Sequence, residues 1–281
     1  MSPVKTIKTF RDLLSFLTII PVGAKEDYIF GTAEHMYLFP LIGGFIGSLA
    51  AIYFWGANFI VGGVFNLINS YIAFPTGILS RLVVAAMVVA FLLVITGLQH
   101  FDGLIDLGNT FGQRNVQDKK TIAHAWTVTY WGALLALIVE FAAFIALFLI
   151  LLLFTNPFFA IGAIIIAEVS AKLSMVTIVW VGKPTHKGLG SIFLAKAKKK
   201  INIAAYAISL LIAYPFFALV LNPLLGLIGV GAVLISVPVG LLMEKVSVKA
   251  FGGVSGDTIG ATNETARAIT LLVLAGVFML L

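Results

Sequence analysis

Seven long apolar runs, separated by short polar connections, constrain this chain more than any other feature. They cover residues 37–57, 78–98, 131–154, 159–181, 203–221, 224–243 and 266–281. An α-helix needs about 20 apolar residues to cross a bilayer. The composition agrees, because 60% of the residues are hydrophobic and 11% are charged, whereas soluble domains average about 45–50% and about 25%. We therefore predict an all-α fold, a polytopic membrane helical bundle with about seven transmembrane helices.

The whole chain, residues 1–281, is predicted to form a single integral membrane domain. Residues 36–281 hold the helical bundle, in which the stretch 59–72 is expected to form a separate re-entrant or interfacial piece. Residues 1–35 are expected to form a cytoplasmic interfacial segment without a cleavable signal peptide. Apolar residues recur there at helical spacing, which predicts an amphipathic helix on the membrane surface: Phe10, Leu13, Leu14, Phe16, Leu17 and Ile20.

Lysine and arginine residues are concentrated in alternate connections between the predicted helices. They precede the first helix and lie between the second and third, the fourth and fifth, and the sixth and seventh. Because such residues accumulate on the cytoplasmic side, we predict a multi-pass protein of the cell membrane with a cytoplasmic N-terminus. The net charge of +6 is explained by this topology, and no nucleic-acid partner is expected. The chain has no cysteine, which excludes disulfides and thiolate metal sites.

The segment 99–110 carries the first cluster of polar residues. Asp102, Asp106 and Asn109 are spaced four and three residues apart, so a helix places them on one face. Oxygen ligands of this kind suit Mg²⁺, which binds one or two carboxylates and shares itself with substrate phosphates. The same residues also fit an interfacial turn with solvated acids. His100 belongs to this segment and is compatible either with phosphate binding or with a surface position.

A second polar cluster, residues 251–264, precedes the last apolar run. Its glycines allow a close backbone approach and leave N–H groups available to phosphate oxygens, while Asp257 and Glu264 share one helical face. A glycine-packed helix entry with a solvated acid is the alternative. A third polar feature is the pair Glu168 and Lys172. It lies inside a predicted transmembrane helix, where charged side chains usually face the interior of the bundle. This pair is either structural or functional.

Six sequence elements give the chain a resemblance to the cobalamin synthase family, also called adenosylcobinamide-GDP ribazoletransferases. These elements are residues 16–22, 39–47, 97–106, 167–172, 182–191 and 252–264. They occur in the family's order and are distributed over nearly the whole length of the chain. Two departures accompany them. The family usually has a third aspartate where this chain has Asn109, and the acid and basic residues that usually precede the third helix are replaced around His124 and Trp126.

The resemblance implies a phosphoryl transfer with Mg²⁺ as cofactor at the cytoplasmic face of the bilayer. α-Ribazole, or its 5′-phosphate, would attack adenosylcobinamide-GDP and release GMP, giving adenosylcobalamin or its 5′-phosphate. The implied metal ligands are Asp102, Asp106 and Asn109, and the implied catalytic residues are Asp257, Glu264 and Lys172. The implied substrate-binding residues are His100, Lys183, Gly253, Ser255, Gly256 and Asn263. An assembly of identical subunits is also possible.

Other classes of protein remain open. A phosphotransferase that uses CDP-alcohols, or a prenyltransferase, also places aspartate-rich motifs at the mouth of a helical bundle, but Asp106-Leu107 stands where the first class has Ala-Arg. A catalytically impaired paralogue would explain the two departures. A corrinoid-binding or transport protein without chemistry is the third alternative.

Overall fold

The computed structural model describes residues 3–23, 28–73, 75–123, 125 and 127–281. Twelve α-helices and no strand are found within these ranges. The helices are α1 Pro3–Leu17, α2 Tyr28–Glu34, α3 Phe39–Tyr71, α4 Thr76–Ile95, α5 Gln99–Asn109, α6 Val116–Ala123, α7 Tyr130–Leu153, α8 Pro157–Val181, α9 Leu189–Ala197, α10 Ala204–Val220, α11 Pro223–Phe251 and α12 Gly256–Phe278. The predicted all-α bundle is confirmed. His124 and Trp126, at the second departure from the family pattern, lie outside the described residues.

Six helices of the described chain are long and apolar enough to cross a membrane: α3, α4, α7, α8, α10 and α11. The seventh predicted span corresponds to α12, whose N-terminal half carries polar residues. Its predicted start at residue 266 is wrong, because α12 begins at Gly256. Ser255 caps this start, since its hydroxyl oxygen accepts a hydrogen bond from the Thr258 backbone N–H at 3.3 Å. A helix with a cap at Ser255 therefore carries the part of the second polar cluster that follows Ser255, including Asp257 and Glu264.

The stretch 59–72 is not a separate piece, which corrects the prediction. It continues α3 as one helix of 33 residues, Phe39–Tyr71. The glycines that suggested an interruption are tolerated inside a helix at a modest energetic cost. The next span also differs from its predicted end, because α4 stops at Ile95 and the chain then turns through Gly97 (φ 68°) and Leu98 (φ 59°).

Helix α8 is the centre of the bundle. In an apolar stretch of 18 residues of α8, 89% of the residues are buried. The corresponding stretches of the other five apolar helices are 22–50% buried. Helix α3 packs closely on it where Gly43 faces Glu168: a Cβ atom at this glycine would lie 2.5 Å from the Glu168 carbonyl oxygen. Small residues permit such close approach between membrane helices. Charged residues of α8 are consequently enclosed by protein.

The N-terminal helix α1 is confirmed as an amphipathic helix. Leu13, Leu14 and Leu17 of the predicted apolar face are buried against the bundle, whereas Phe10 of that face is exposed and Ile20 lies beyond the end of α1 at Leu17. The segment after α1 then packs on the turn between α4 and α5, where the Ile19 backbone N–H donates a hydrogen bond to the Ile95 carbonyl oxygen at 2.9 Å. The N-terminal segment thus supports the turn from which α5 departs.

Candidate active site

Helix α5 carries Asp102 and Asp106 on one face, as the spacing predicts. The turn at Gly97 and Leu98 directs this short helix against α12. Gly103 makes the closest approach, because a Cβ atom at this position would overlap the Asp257 carbonyl oxygen. The contact brings the beginning of α12 beside the two aspartates of α5.

Asp102, Asp106 and Asp257 line a common cavity of about 280 Å³, which we call the acidic cavity. Its other walls are Ile105, Ala123, Thr127 and Val128. Burial, together with the charges of Asp257 and Asp102, raises the pKa of Asp106 to about 7. Burial and the Asp257 charge also raise the pKa of Asp102. Three carboxyl groups in one cavity oppose one another's ionisation, and a bound cation relieves this opposition.

The donor chemistry of the acidic cavity fits a hard divalent cation. Carboxylate oxygens are the ligands that Mg²⁺ prefers, and the ion commonly shares itself between one or two carboxylates and phosphate oxygens. No three Asp, Glu or His side chains among the described residues already surround a common metal position.

Asn109 lies outside the acidic cavity. It is 1% exposed, and its Oδ1 accepts hydrogen bonds from the Thr129 backbone N–H at 2.9 Å and the Thr129 hydroxyl at 2.8 Å. Its Nδ2 donates to the Thr127 carbonyl oxygen at 2.9 Å. These bonds fix the segment that forms one wall of the cavity. A role for Asn109 as a metal ligand stays a prediction, and it requires these bonds to break.

The loops that carry the two glycine motifs pair through their backbones. The Val254 N–H donates to the Lys183 carbonyl oxygen at 2.7 Å, and the Thr185 N–H donates to the Val254 carbonyl oxygen at 3.3 Å. Gly253 permits this pairing, because a Cβ atom there would lie 2.8 Å from the Lys183 carbonyl oxygen. The Lys183 side chain is exposed. Gly253, Lys183 and the capping residue Ser255 therefore shape the entrance to α12.

A buried ion cluster lies deeper in the bundle, between α8 and α12. Lys172 Nζ donates hydrogen bonds to Glu168 Oε2 at 3.2 Å and to Asn263 Oδ1 at 2.7 Å. Arg267 Nε donates to Glu168 Oε1 at 2.5 Å, while its Nη1 contacts Glu264 Oε2. Asn263 Nδ2 donates to Glu264 Oε1 at 3.1 Å. The predicted pairing of Glu168 with Lys172 is confirmed, and it forms part of a larger network.

His100 and Glu140 border this ion cluster from the two neighbouring helices. The His100 Nδ1 atom is 3.7 Å from Glu264 Oε1, and burial lowers the pKa of His100 well below its usual value, with the positive charge of Lys172 adding to the effect. A neutral imidazole follows. The carboxyl group of Glu140, inside α7, interacts electrostatically with Glu264 and Arg267. Both carboxylate oxygens of Glu140 are buried without a hydrogen-bond partner in the described part of the chain.

The structure brings six of the predicted site residues together in two groups of three. Asp102, Asp106 and Asp257 face the acidic cavity, whereas Lys172, Asn263 and Glu264 belong to the buried ion cluster. Gly256 and His100 border a second cavity that shares Asp257 with the first. Arg267 was not among the predicted site residues. Its spacing of three residues from Glu264 on the same predicted helix was the available sign of an ion pair.

Comparison of the amino-acid sequence with known proteins places the chain in one family. The family model described as cobalamin-5-phosphate synthase matches residues 9–275. A relative from Methanosarcina barkeri, named adenosylcobinamide-GDP ribazoletransferase, is 31% identical over 95% of this chain and 91% of its own length. Relatives of the same name from Methanocella arvoryzae (31%, covering 95% of each chain) and Methanococcoides burtonii (30%, covering 94% of this chain and 90% of its own) are similar to the same degree. No solved structure matches the chain.

Proposed function

The chain belongs to the cobalamin-5-phosphate synthase family and is a transferase of cobalamin biosynthesis, and we propose that its acidic cavity catalyses the transfer. The substrates are adenosylcobinamide-GDP and α-ribazole or its 5′-phosphate. A hydroxyl oxygen of the ribazole bonds to the phosphorus attached to the cobinamide, and the bond from that phosphorus to the GMP oxygen breaks. GMP leaves, and the hydroxyl proton must be accepted by a base. The observation that carries this proposal is the meeting of Asp102, Asp106 and Asp257 in one cavity.

Each aspartate has a place in this proposal. Asp102 and Asp106 on α5 hold Mg²⁺, and Asp257 at the start of α12 either completes the metal ligands or accepts the hydroxyl proton. Bound Mg²⁺ supplies neutralisation of the charge that develops on the diphosphate. Glu264 and Lys172 do not line the acidic cavity. Lys172 of α8 and Glu264 of α12 both hydrogen bond to Asn263 of α12, and these contacts fix α12 relative to α8. Lys172 and Glu264 act as positioning residues.

The test of the function is GMP release by membranes that contain the protein. Adenosylcobinamide-GDP and α-ribazole are supplied together, and GMP and the joined corrinoid are quantified. We expect equal amounts of the two products, and none when α-ribazole is omitted. Binding of adenosylcobinamide-GDP without release of GMP would instead identify a catalytically impaired paralogue.

The first prediction concerns the side of the membrane on which the site lies. The protein has no natural cysteine, so single cysteines can be placed at exposed positions. With a cytoplasmic N-terminus, Asn115→Cys and Lys187→Cys are expected to react with an impermeant thiol reagent only from the inside. Thr155→Cys, in the short connection between α7 and α8, is the matched control and is expected to react only from the outside. Outside labelling at residue 115 or 187 would contradict a cytoplasmic site.

The second prediction concerns Asn109. Asn109→Asp is expected to leave the Mg²⁺ concentration for half-maximal GMP release within about twofold of wild type, because the side chain bonds to Thr127 and Thr129 and not to the cavity. A carboxylate cannot donate to the Thr127 carbonyl oxygen, so the free energy of unfolding should fall by about 1–3 kcal/mol. Magnesium titration and thermal unfolding measure the two effects. A clearly lower Mg²⁺ requirement would place Asn109 among the metal ligands.

A further inference from the structure

A second cavity, of about 260 Å³, borders Asp257 as the acidic cavity does. We call it the aromatic cavity, because the rings of Phe16, Phe39 and Phe193 form part of its wall. Asp257 is in the lining of both cavities. A molecule in the aromatic cavity is therefore within reach of the group that also faces the acidic cavity.

Three helices that are distant in the sequence supply the three rings. Phe16 is on α1, Phe39 begins α3 and Phe193 is on α9. The ring centroids are 4.8 Å apart for Phe16 and Phe193, 6.0 Å for Phe39 and Phe193, and 6.2 Å for Phe16 and Phe39. These separations are typical of interacting aromatic rings. Phe39 and Phe193 are buried, whereas Phe16 is only partly buried, so one ring of the group has a free surface.

Polar groups occupy a small part of the aromatic cavity. Gln99 and His100 come from the beginning of α5, His186 comes from the loop before α9, and Asp257 comes from α12. The remaining side chains of the wall are mostly apolar, such as Met175 of α8. Mostly apolar cavities with a few oriented polar groups are typical of sites for small organic ligands.

We infer that the aromatic cavity binds the heteroaromatic base of the acceptor, α-ribazole or its 5′-phosphate, and directs the ribose hydroxyl toward Asp257. This inference rests on the proposed function. A flat, uncharged base gains from contact with aromatic rings, whereas a diphosphate gains little from an apolar wall. A corrin macrocycle with its side chains is too large for about 260 Å³. The guanine of adenosylcobinamide-GDP is also a flat base, and the separate Michaelis constants of the two substrates distinguish it from the base of the acceptor.

This arrangement gives the N-terminal segment a part in substrate binding. Residues 16–22 were among the elements that gave the family resemblance, and a purely interfacial helix does not require a particular aromatic residue. Phe16 lies at the end of α1 on the face that packs against Phe39 and Phe193. The helix that lies on the bundle therefore also closes the acceptor subsite.

The experiment compares the Michaelis constants for the two substrates in ring variants. In Phe16→Leu, the KM for α-ribazole is expected to rise about 5- to 150-fold, the range that corresponds to losing a base–aromatic contact of about 1–3 kcal/mol. The KM for adenosylcobinamide-GDP and kcat should stay within about twofold. Phe16→Tyr retains the ring and is expected to restore a KM near that of wild type. Such rescue separates ring contact from a general packing defect.

Phe45→Leu is the matched control for the ring variants. Phe45 is a partly buried aromatic residue of α3 that contacts Phe10 of α1, with ring centroids 5.7 Å apart, and it does not line the aromatic cavity. The Phe45→Leu substitution removes a phenyl ring of the same size from the interface between α1 and α3. We expect both Michaelis constants of this variant to remain within about twofold of wild type. An unchanged KM for α-ribazole in Phe16→Leu, or an equal rise in Phe45→Leu, would overturn the inference.

Direct binding separates failure of the subsite from failure of the proposed function. Equilibrium dialysis of the detergent-solubilised full chain with labelled α-ribazole, with and without GMP, measures the acceptor's Kd without turnover. Weaker binding in Phe16→Leu than in Phe45→Leu supports the subsite even if no GMP is released. Turnover by the wild type with no selective effect of Phe16→Leu overturns the subsite and leaves the function standing. Absence of α-ribazole binding to the wild type under both conditions overturns the subsite as well.

Discussion

Asp106→Asn is expected to lower the rate of α-ribazole-dependent GMP release by about 10²–10³-fold, the loss typical of removing one electrostatic stabiliser of a transition state. The substitution keeps the size of the side chain and removes the negative charge. Asp106 is half-buried beside Asp102 and Asp257 in the acidic cavity. A less negative cavity holds a divalent cation more weakly, so the charge of the diphosphate is less well neutralised during transfer.

Asp118→Asn is the matched control for this substitution. Asp118 lies on the neighbouring helix α6, is exposed, and hydrogen bonds to Asn115. The same chemical change there is expected to leave the rate within about twofold. Equal losses in the two variants would show that the acidic cavity is not the site of transfer. Thermal unfolding of both variants checks that they remain folded.

The wild type offers an independent check of the role of Asp106 through pH. The pKa of its carboxyl group is raised to about 7 by burial and by the neighbouring aspartates, so in the absence of a cation the group becomes protonated as the pH falls through this value. A proton and Mg²⁺ compete for the same carboxylate. The Mg²⁺ concentration for half-maximal activity should therefore be higher at pH 6 than at pH 8. In Asp106→Asn this difference should be smaller.

The spacing of polar residues predicted some parts of the site because helical periodicity is local. Asp102 and Asp106 are four residues apart, and they share a face of α5 as expected. Glu168 and Lys172 pair for the same reason. Asp257 joins the first pair only because α12 begins at Gly256 and crosses α5 at Gly103. The spacing of residues along the chain does not predict a contact between two helices that are more than 140 residues apart in sequence.

Asn109 shows the opposite limit of sequence reasoning. Its offset of three residues from Asp106 fits a common face, yet its amide is used by Thr127 and Thr129 of the following segment. An amide can bond to backbone groups of an adjacent loop as readily as to a cation, and the sequence does not distinguish these uses. Phe16 was predicted only as part of an apolar helix face, because its contacts with Phe39 and Phe193 depend on the tertiary packing of α1.

Arg267→Gln is expected to have the largest effect on stability. Arg267 is fully buried and contacts the carboxylates of both Glu168 and Glu264. Its removal leaves these carboxylates with Lys172 as the one positive side chain bonded to the cluster in the described part of the chain. Loss of one partner from a buried ion pair typically costs about 3–5 kcal/mol. We expect a Tm lower by about 10 °C in detergent, or failure to accumulate in the membrane.

A charge-matched double variant tests the reason for that loss. Glu264→Gln combined with Arg267→Gln removes one carboxylate together with one guanidinium, so the pairing of Glu168 with Lys172 keeps a balanced charge. Because an unpaired buried charge costs more than an absent pair, the double variant should be more stable than Arg267→Gln alone. Arg81→Gln, at a half-exposed position of α4, is the control for loss of an arginine and should change Tm by no more than about 2 °C. A double variant less stable than Arg267→Gln would mean that Arg267 stabilises the bundle by packing, and that the ion cluster does not depend on balanced charge.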